Sequence, residues 1–240
     1  MKKMFVPSLI ALALVSISGL AQAQTAEPAS TLSFNVGVTS DYRYRGLSQS
    51  RLQPAVQGGI DYADKSGFYL GAWASSIKWI KDSTGDSNVE IDLYGGYKGV
   101  VGDVAYDVGL LRYEYPSNNL TTNANTNEIY GAMTFGVVTV KYSHATTNLF
   151  GTANSKNSSY LDLSANFDLG SGLTLTPHVG RQTVKNNSAS SYTDYSVTLT
   201  KDLGNGLSAS AMLVDTDTTY PLGGKDTAKS GVVVGLKYAF

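Results

Sequence analysis

The sequence predicts an all-β fold, a transmembrane antiparallel up-and-down β-barrel of about twelve strands. Three observations predict it. Apolar and polar residues alternate with the two-residue period of a strand along segment after segment. The connections between those segments are by turns long and polar, then short and rich in Gly and Asp. Tyr and Phe of the apolar parity gather near the short-turn ends, as rings do at a membrane–water interface. No Cys is present, which excludes disulfides and thiolate metal sites, and only 15% of the residues are charged.

The clearest anchor is the segment from Gly231 to Phe240. Val232, Val234, Leu236, Tyr238 and Phe240 share one parity, while Gly231, Gly235, Lys237 and Ala239 share the other, with Val233 as the exception. This pattern is expected of a closing barrel strand, with Phe240 as the signal read by the barrel-assembly machinery. At the other end, Met1-Lys2-Lys3 precedes an apolar run and then Ala21-Gln22-Ala23. That is the charged start, apolar middle and small-residue cleavage site of a secretory signal peptide over residues 1–23. One barrel domain is expected over 24–240, in the cell outer membrane. Removing Lys2 and Lys3 leaves 16 of the 18 basic side chains against 19 acidic ones, a balance that does not suit nucleic acid. After the leader, no apolar run approaches the roughly 18 residues of a spanning helix.

The first strand reads from Leu32 to Arg45, with Phe34, Val36, Val38, Tyr42 and Tyr44 outward and Asn35, Asp41, Arg43 and Arg45 inward. A loop from Gly46 to Gln53 leads to Val56, Ile60 and Tyr62, and a turn at Asp64 to Gly67 leads to Phe68, Leu70 and Ala72. Beyond Asp82 to Ser87, Ile91, Leu93 and Tyr97 oppose Glu90, Asp92 and Tyr94. Val104, Tyr106, Val108 and Leu110 follow a short turn, and the pair Leu110-Leu111 blurs the parity enough to suggest a bulge there. Ile129, Met133 and Phe135 then oppose Glu128 and Tyr130, and Val138, Val140 and Tyr142 oppose Lys141 and Ser143. Leu161, Leu163 and Phe167 oppose Tyr160, Asp162 and Ser164; Leu173, Leu175 and Val179 oppose Thr174 and His178. Tyr195, Val197 and Leu199 oppose Asp194, and Leu207, Ala209, Ala211 and Leu213 precede the last loop. An even strand count with connections sorted by length is the plan of a bacterial outer-membrane barrel.

Several stretches resemble the TorF family of outer-membrane porins. The likeness is strongest in Asn35-Val36-Gly37-Val38-Thr39-Ser40-Asp41-Tyr42-Arg43-Tyr44-Arg45-Gly46-Leu47-Ser48-Gln49 and continues in Pro54 to Tyr62 and Gly67 to Ser75. Weaker echoes run through Glu90 to Tyr97, Tyr113 to Pro116 and Glu128 to Tyr130. The resemblance implies a barrel with the role of a pore. It carries no catalytic or binding residues over to this chain.

If the long loops are extracellular, Glu90, Asp92, Glu128, Asp162 and Asp194 lie inward near the outer mouth, level with Asp41, Arg43 and Arg45, while His178 lies inward near mid-depth. Six acids against two Arg suggest a constriction that mildly prefers cations, since rings of charged side chains select ions by sign. The competing reading is that these charges pair and plug the lumen. Two further classes stay open. A non-conducting structural or adhesin barrel would act through its loops. A membrane-embedded hydrolase would need a histidine beside an acid or a serine, and no such pairing is visible for His178 or for outward His144. No metal or cofactor is expected; the expected partners are small hydrophilic solutes, outer-membrane lipid and lipopolysaccharide.

Overall fold

The computed structural model describes residues 30–240, so the expected signal peptide over 1–23 lies outside the described residues. Twelve strands cross the molecule: β1 (Thr31–Thr39), β2 (Ala55–Ala63), β3 (Phe68–Ser76), β4 (Val89–Val101), β5 (Val104–Glu114), β6 (Thr126–Phe135), β7 (Val138–Ala145), β8 (Ser159–Ala165, resuming as Phe167–Gly170), β9 (Leu173–Thr183), β10 (Tyr192–Gly204), β11 (Leu207–Thr216) and β12 (Gly231–Ala239). Each pairs antiparallel with its sequence neighbour, and β12 returns to pair with β1 through Val36↔Tyr238 and Val38↔Leu236. The sheet is therefore a closed barrel without an edge. Phe34 and Phe240 complete the seam by exchanging backbone hydrogen bonds of 2.8 and 3.0 Å.

The connections sort by end as the sequence predicts. Short turns lie at 64–67, 102–103, 136–137, 171–172 and 205–206; long ones at 40–54, 77–88, 115–125, 146–158, 184–191 and 217–230. The near-copies Asp168-Leu169-Gly170-Ser171-Gly172 and Asp202-Leu203-Gly204-Asn205-Gly206 close by one device. Each Asp carboxylate accepts the N–H of the Gly two residues on, at 2.8 Å, and the ladder register slips there. In the 64–67 turn, hydrogen bonds from the Ser66 side chain and backbone hold the exposed Asp64 carboxyl down at about 2. The bulge suggested at Leu110-Leu111 is not found. The register runs unbroken from Leu110↔Ile129 to Leu111↔Glu128, and Leu111 simply faces inward as a buried apolar residue.

The barrel is inside-out relative to a soluble sandwich. Val36, Leu163 and Leu236 on the outer face are 51%, 44% and 50% exposed, as are their apolar neighbours around the wall. The buried interior is instead rich in Tyr, Ser, Asp and Glu. Such an outer band is stable against hydrocarbon and would be a severe aggregation liability in water. Rings gather at the short-turn end: Phe34 stacks on Phe240 at 5.7 Å, Phe240 on Tyr238 at 5.4 Å, and Phe68 meets Tyr97 edge-on at 5.0 Å. At the long-loop end Tyr142 and Tyr195 face outward as expected.

Placing Arg at Leu163 should therefore destabilise the barrel in a phospholipid bilayer by roughly 2–4 kcal/mol. Ser196→Thr, on the inner face, should cost less than about 1 kcal/mol. Reversible denaturant titrations in vesicles check both, and equal losses would contradict the assignment of faces.

Candidate functional site

The lumen holds every pore-lining candidate named from the sequence, but the first three do not stand on the wall. β1 stops at Thr39, and residues 40–54 fold back into the barrel. The expected continuous strand to Arg45 is thus corrected, and its physical cause is local. Asp41 gathers the Oγ of Ser48 (2.5 Å), the Oγ of Ser50 (3.0 Å) and Nε of Arg43 on one carboxylate, which bends the chain. Arg43–Tyr44 then pairs with Leu47–Ser48 as a small hairpin. Its two turn residues, Arg45 and Gly46, have φ of 46° and 80°, the double positive φ of a primed turn. A Cβ at residue 46 would also lie 2.5 Å from the Thr216 side chain and 2.7 Å from that of Asp194, so Gly lets the hairpin tip press against the wall.

Tyr42 and Tyr44 follow this segment inward, not to the outer girdle where alternation placed them. Tyr42 is 3% exposed, donates to Glu90 at 2.5 Å and meets Trp73 edge-on. Tyr44 shares a 2.5 Å hydrogen bond with Tyr113 and packs on Phe150. Arg45 reaches farthest. It grips Glu128 on β6 with bonds of 3.0 and 2.8 Å, donates to Gln182 on β9 at 2.7 Å, and lies over the Tyr160 ring at 4.3 Å. The segment leaves β1 and returns to β2, so it straps across the lumen. Arg43 ties it to the last long loop through the Thr227 carbonyl at 3.3 Å, beside the Ser48 N–H at 2.8 Å.

The carboxylates predicted to form a constriction all face inward and are all buried, each with its own environment. Glu90 accepts from Tyr42 and, at 2.7 Å, from Tyr115. Asp92 is 1% exposed, and its Oδ1 has no hydrogen-bond partner among the described residues. Glu128 takes Arg45 and, at 3.2 Å, Tyr113. Asp162 accepts from Nε2 of His178 at 2.6 Å, and Asp194 accepts from Tyr160 at 2.9 Å with Nδ1 of His178 at 3.6 Å. His178 thus sits between two carboxylates, a pairing not visible in the sequence because it is diagonal: Asp162 aligns with Gly180, and Gly180 with Asp194. Outward His144 touches Asn157 at 3.2 Å and lies against Tyr142.

Parity places Tyr94 and Tyr130 inward in the sequence, but the seating of the inward tyrosines over glycines was missed. Tyr69, Tyr94 and Tyr130 each stand directly across the ladder from a glycine, namely Gly96, Gly71 and Gly109. Each ring lies over the bare backbone of its neighbour, where a Cβ would clash with it. The hydroxyls then reach carboxylates, Tyr94 to Asp61 at 2.5 Å and Tyr69 to Asp107 at 2.6 Å. Inward Tyr facing Gly in the next segment was the available signal. This packing fills the β2–β6 side of the lumen. Beneath the strap remains a cavity of about 70 Å³, bounded by Arg45, Tyr113, Lys141, Tyr160, Asp162, His178 and Asp194 and by the apolar Met212 and Val214. Among the described residues no group of His, Asp and Glu is arranged to hold a metal ion.

The chain belongs to the bacterial family described as a bacterial protein of unknown function, Gcw_chp, whose model matches residues 23–240. Among solved structures, the fold is similar to that of the KdgM porin, with a TM-score of 0.57 at 10% identity over 88% of this chain and 99% of that one. It is similar also to the NanC porin, with 0.56 at 11% identity over 87% and 99%. A third likeness is to the COG4313 outer membrane channel from Pseudomonas putida F1, with 0.51 at 11% identity over 89% and 96%. At these identities the likeness shows the fold alone. No match was found among curated protein sequences.

Glu128→Gln should leave the buried Arg45 guanidinium without its counter-charge and cost about 3 kcal/mol. Replacing both residues by Met should cost less than the single change. Urea midpoints in detergent micelles check this, and additive losses would show that the two charges do not act as a pair.

Proposed function

We propose that the protein is an outer-membrane channel through which small hydrophilic solutes and ions diffuse passively. The observation that carries this reading is the closed wall of twelve strands, apolar outside and lined inside by carboxyl, basic and hydroxyl groups. A spanning barrel needs the first property to sit in lipid, and a water path needs the second. The resemblance of Asn35 to Gln49 to the TorF family of porins agrees with it. So does the likeness of the fold to porins, although the solutes of those proteins do not transfer at such identities. The reading includes removal of residues 1–23 on export, residence among outer-membrane lipid and lipopolysaccharide, and insertion by the barrel-assembly machinery through β12.

Residues 40–54 form the constriction in this reading, and its charge sets the selectivity. Arg43 and Arg45 are each held against a carboxylate, whereas among the described residues Glu90, Asp92, Asp162 and Asp194 have hydrogen-bond or ion-pair partners only in hydroxyls and a histidine, and Oδ1 of Asp92 has none. The surplus is negative, so cations are mildly preferred. Nothing in the arrangement calls for an energy source.

Planar-bilayer recordings of the refolded protein in a salt gradient test the proposal. Discrete conductance steps with a reversal potential on the cation side are expected. Arg45→Ala should raise both the conductance and the cation preference, because it loosens the strap and unmasks Glu128. A preference for chloride would remove the selectivity reading, and silence in both proteins would remove the channel itself.

A further inference from the structure

The cavity under the strap contains two opposite charges that stand side by side without meeting. Lys141 on β7 and Asp162 on β8 are direct cross-strand partners, a placement in which a Lys and an Asp ordinarily form an ion pair. Here they turn apart. The Lys141 ammonium lies over the Tyr130 ring on β6, 4.2 Å from its centroid, and forms no ion pair among the described residues. Asp162 turns the other way, toward β9, where His178 occupies its Oδ2 at 2.6 Å. Its Oδ1 is buried and without a hydrogen-bond partner among the described residues, on a side chain only 6% exposed. Both residues border the cavity, as do Ser143 and Tyr160.

We propose that this cleft is a subsite for a small zwitterion, of which an α-amino acid is the simplest. The ammonium of the solute meets the Asp162 carboxylate, whose buried Oδ1 turns into the cavity to receive it, and its carboxylate meets Nζ of Lys141. A single molecule carrying both charges engages both sites in one event, an advantage that separate ions and neutral solutes lack. Size agrees: a cavity of about 70 Å³ holds roughly five water-sized centres at ~10–15 Å³ each, room for the smallest amino acids. The neighbouring charges are already engaged, Arg45 by Glu128 and Asp194 by Tyr160, which leaves Lys141 and Asp162 to set the preference. This inference rests on the channel reading and names a class of solute that the channel favours.

Liposome swelling separates the two claims. Full-length processed protein is reconstituted, and swelling is compared in isoosmotic glycine and in glycolamide, its uncharged isomer. Glycine is expected to enter about fivefold faster, the ratio that corresponds to about 1 kcal/mol of preference. The ratio should fall to about one in Lys141→Met and in Asp162→Asn, while Lys141→Arg, which keeps the charge and guards against a mere folding defect, should retain it. Glycine no faster than glycolamide, in liposomes that conduct ions, would overturn the zwitterion subsite and leave the channel standing. A ratio that survives both neutral substitutions would overturn the assignment to these residues. Absence of swelling in either solute, with no conductance, would overturn the channel and the subsite with it.

Discussion

Closure of the backbone ladder is the constraint from which the rest of this structure follows. In hydrocarbon an unpaired N–H or C=O costs several kcal/mol, so a sheet can face lipid only if it has no edge. The seam between β1 and β12 removes that edge through Asn35↔Ala239 to Thr39↔Gly235. Once the sheet is a cylinder, the two-residue period of each strand becomes an outside and an inside. The exposed Val, Leu, Ile and Phe of the wall are then an adaptation to solvent of a different kind and not a packing failure.

Closure also creates the interior problem that the strap and the tyrosines solve. A twelve-stranded cylinder encloses more space than the side chains of its own inner face fill on every side. On the β2–β6 side the chain sets large rings over glycines, and the hydroxyls of Tyr94 and Tyr69 donate to one oxygen each of Asp61 and Asp107. Residues 40–54 fill the centre, held at their tip by Arg45 and at their base by the Asp41 hub. The polar network is therefore both packing and electrostatics, and the remaining cavity lies on the side of β7 to β11, bordered there by Ser143, Ser196, Met212 and Val214.

Much of this was legible in the chain because a strand's period is local. The parity of Leu161, Leu163 and Phe167 against Tyr160, Asp162 and Ser164 needs no knowledge of what lies across the barrel, and neither does the contrast between a two-residue turn and a long loop. What alternation cannot report is where a strand stops. Tyr42, Arg43, Tyr44 and Arg45 continue the pattern of β1 without fault, yet the Asp41 carboxylate and the positive φ of Arg45 and Gly46 send them into the lumen. Pairings that depend on register were also hidden. His178 meets Asp162 only because β8 and β9 align Ser164 with His178, an offset set by the 171–172 turn and the bulge before it. The carboxylates were found by parity, but their partners lie on other strands and on the strap.

The most direct measurement is residue-by-residue access from the bilayer interior. The chain has no cysteine, so single Cys variants report one position each. A reagent confined to the hydrocarbon should label Val36→Cys, Leu163→Cys and Leu236→Cys in membranes and spare Asn35→Cys, Ser164→Cys and Gly235→Cys. Labelling of both sets alike, or of the second alone, would contradict a wall with lipid on one face and water on the other.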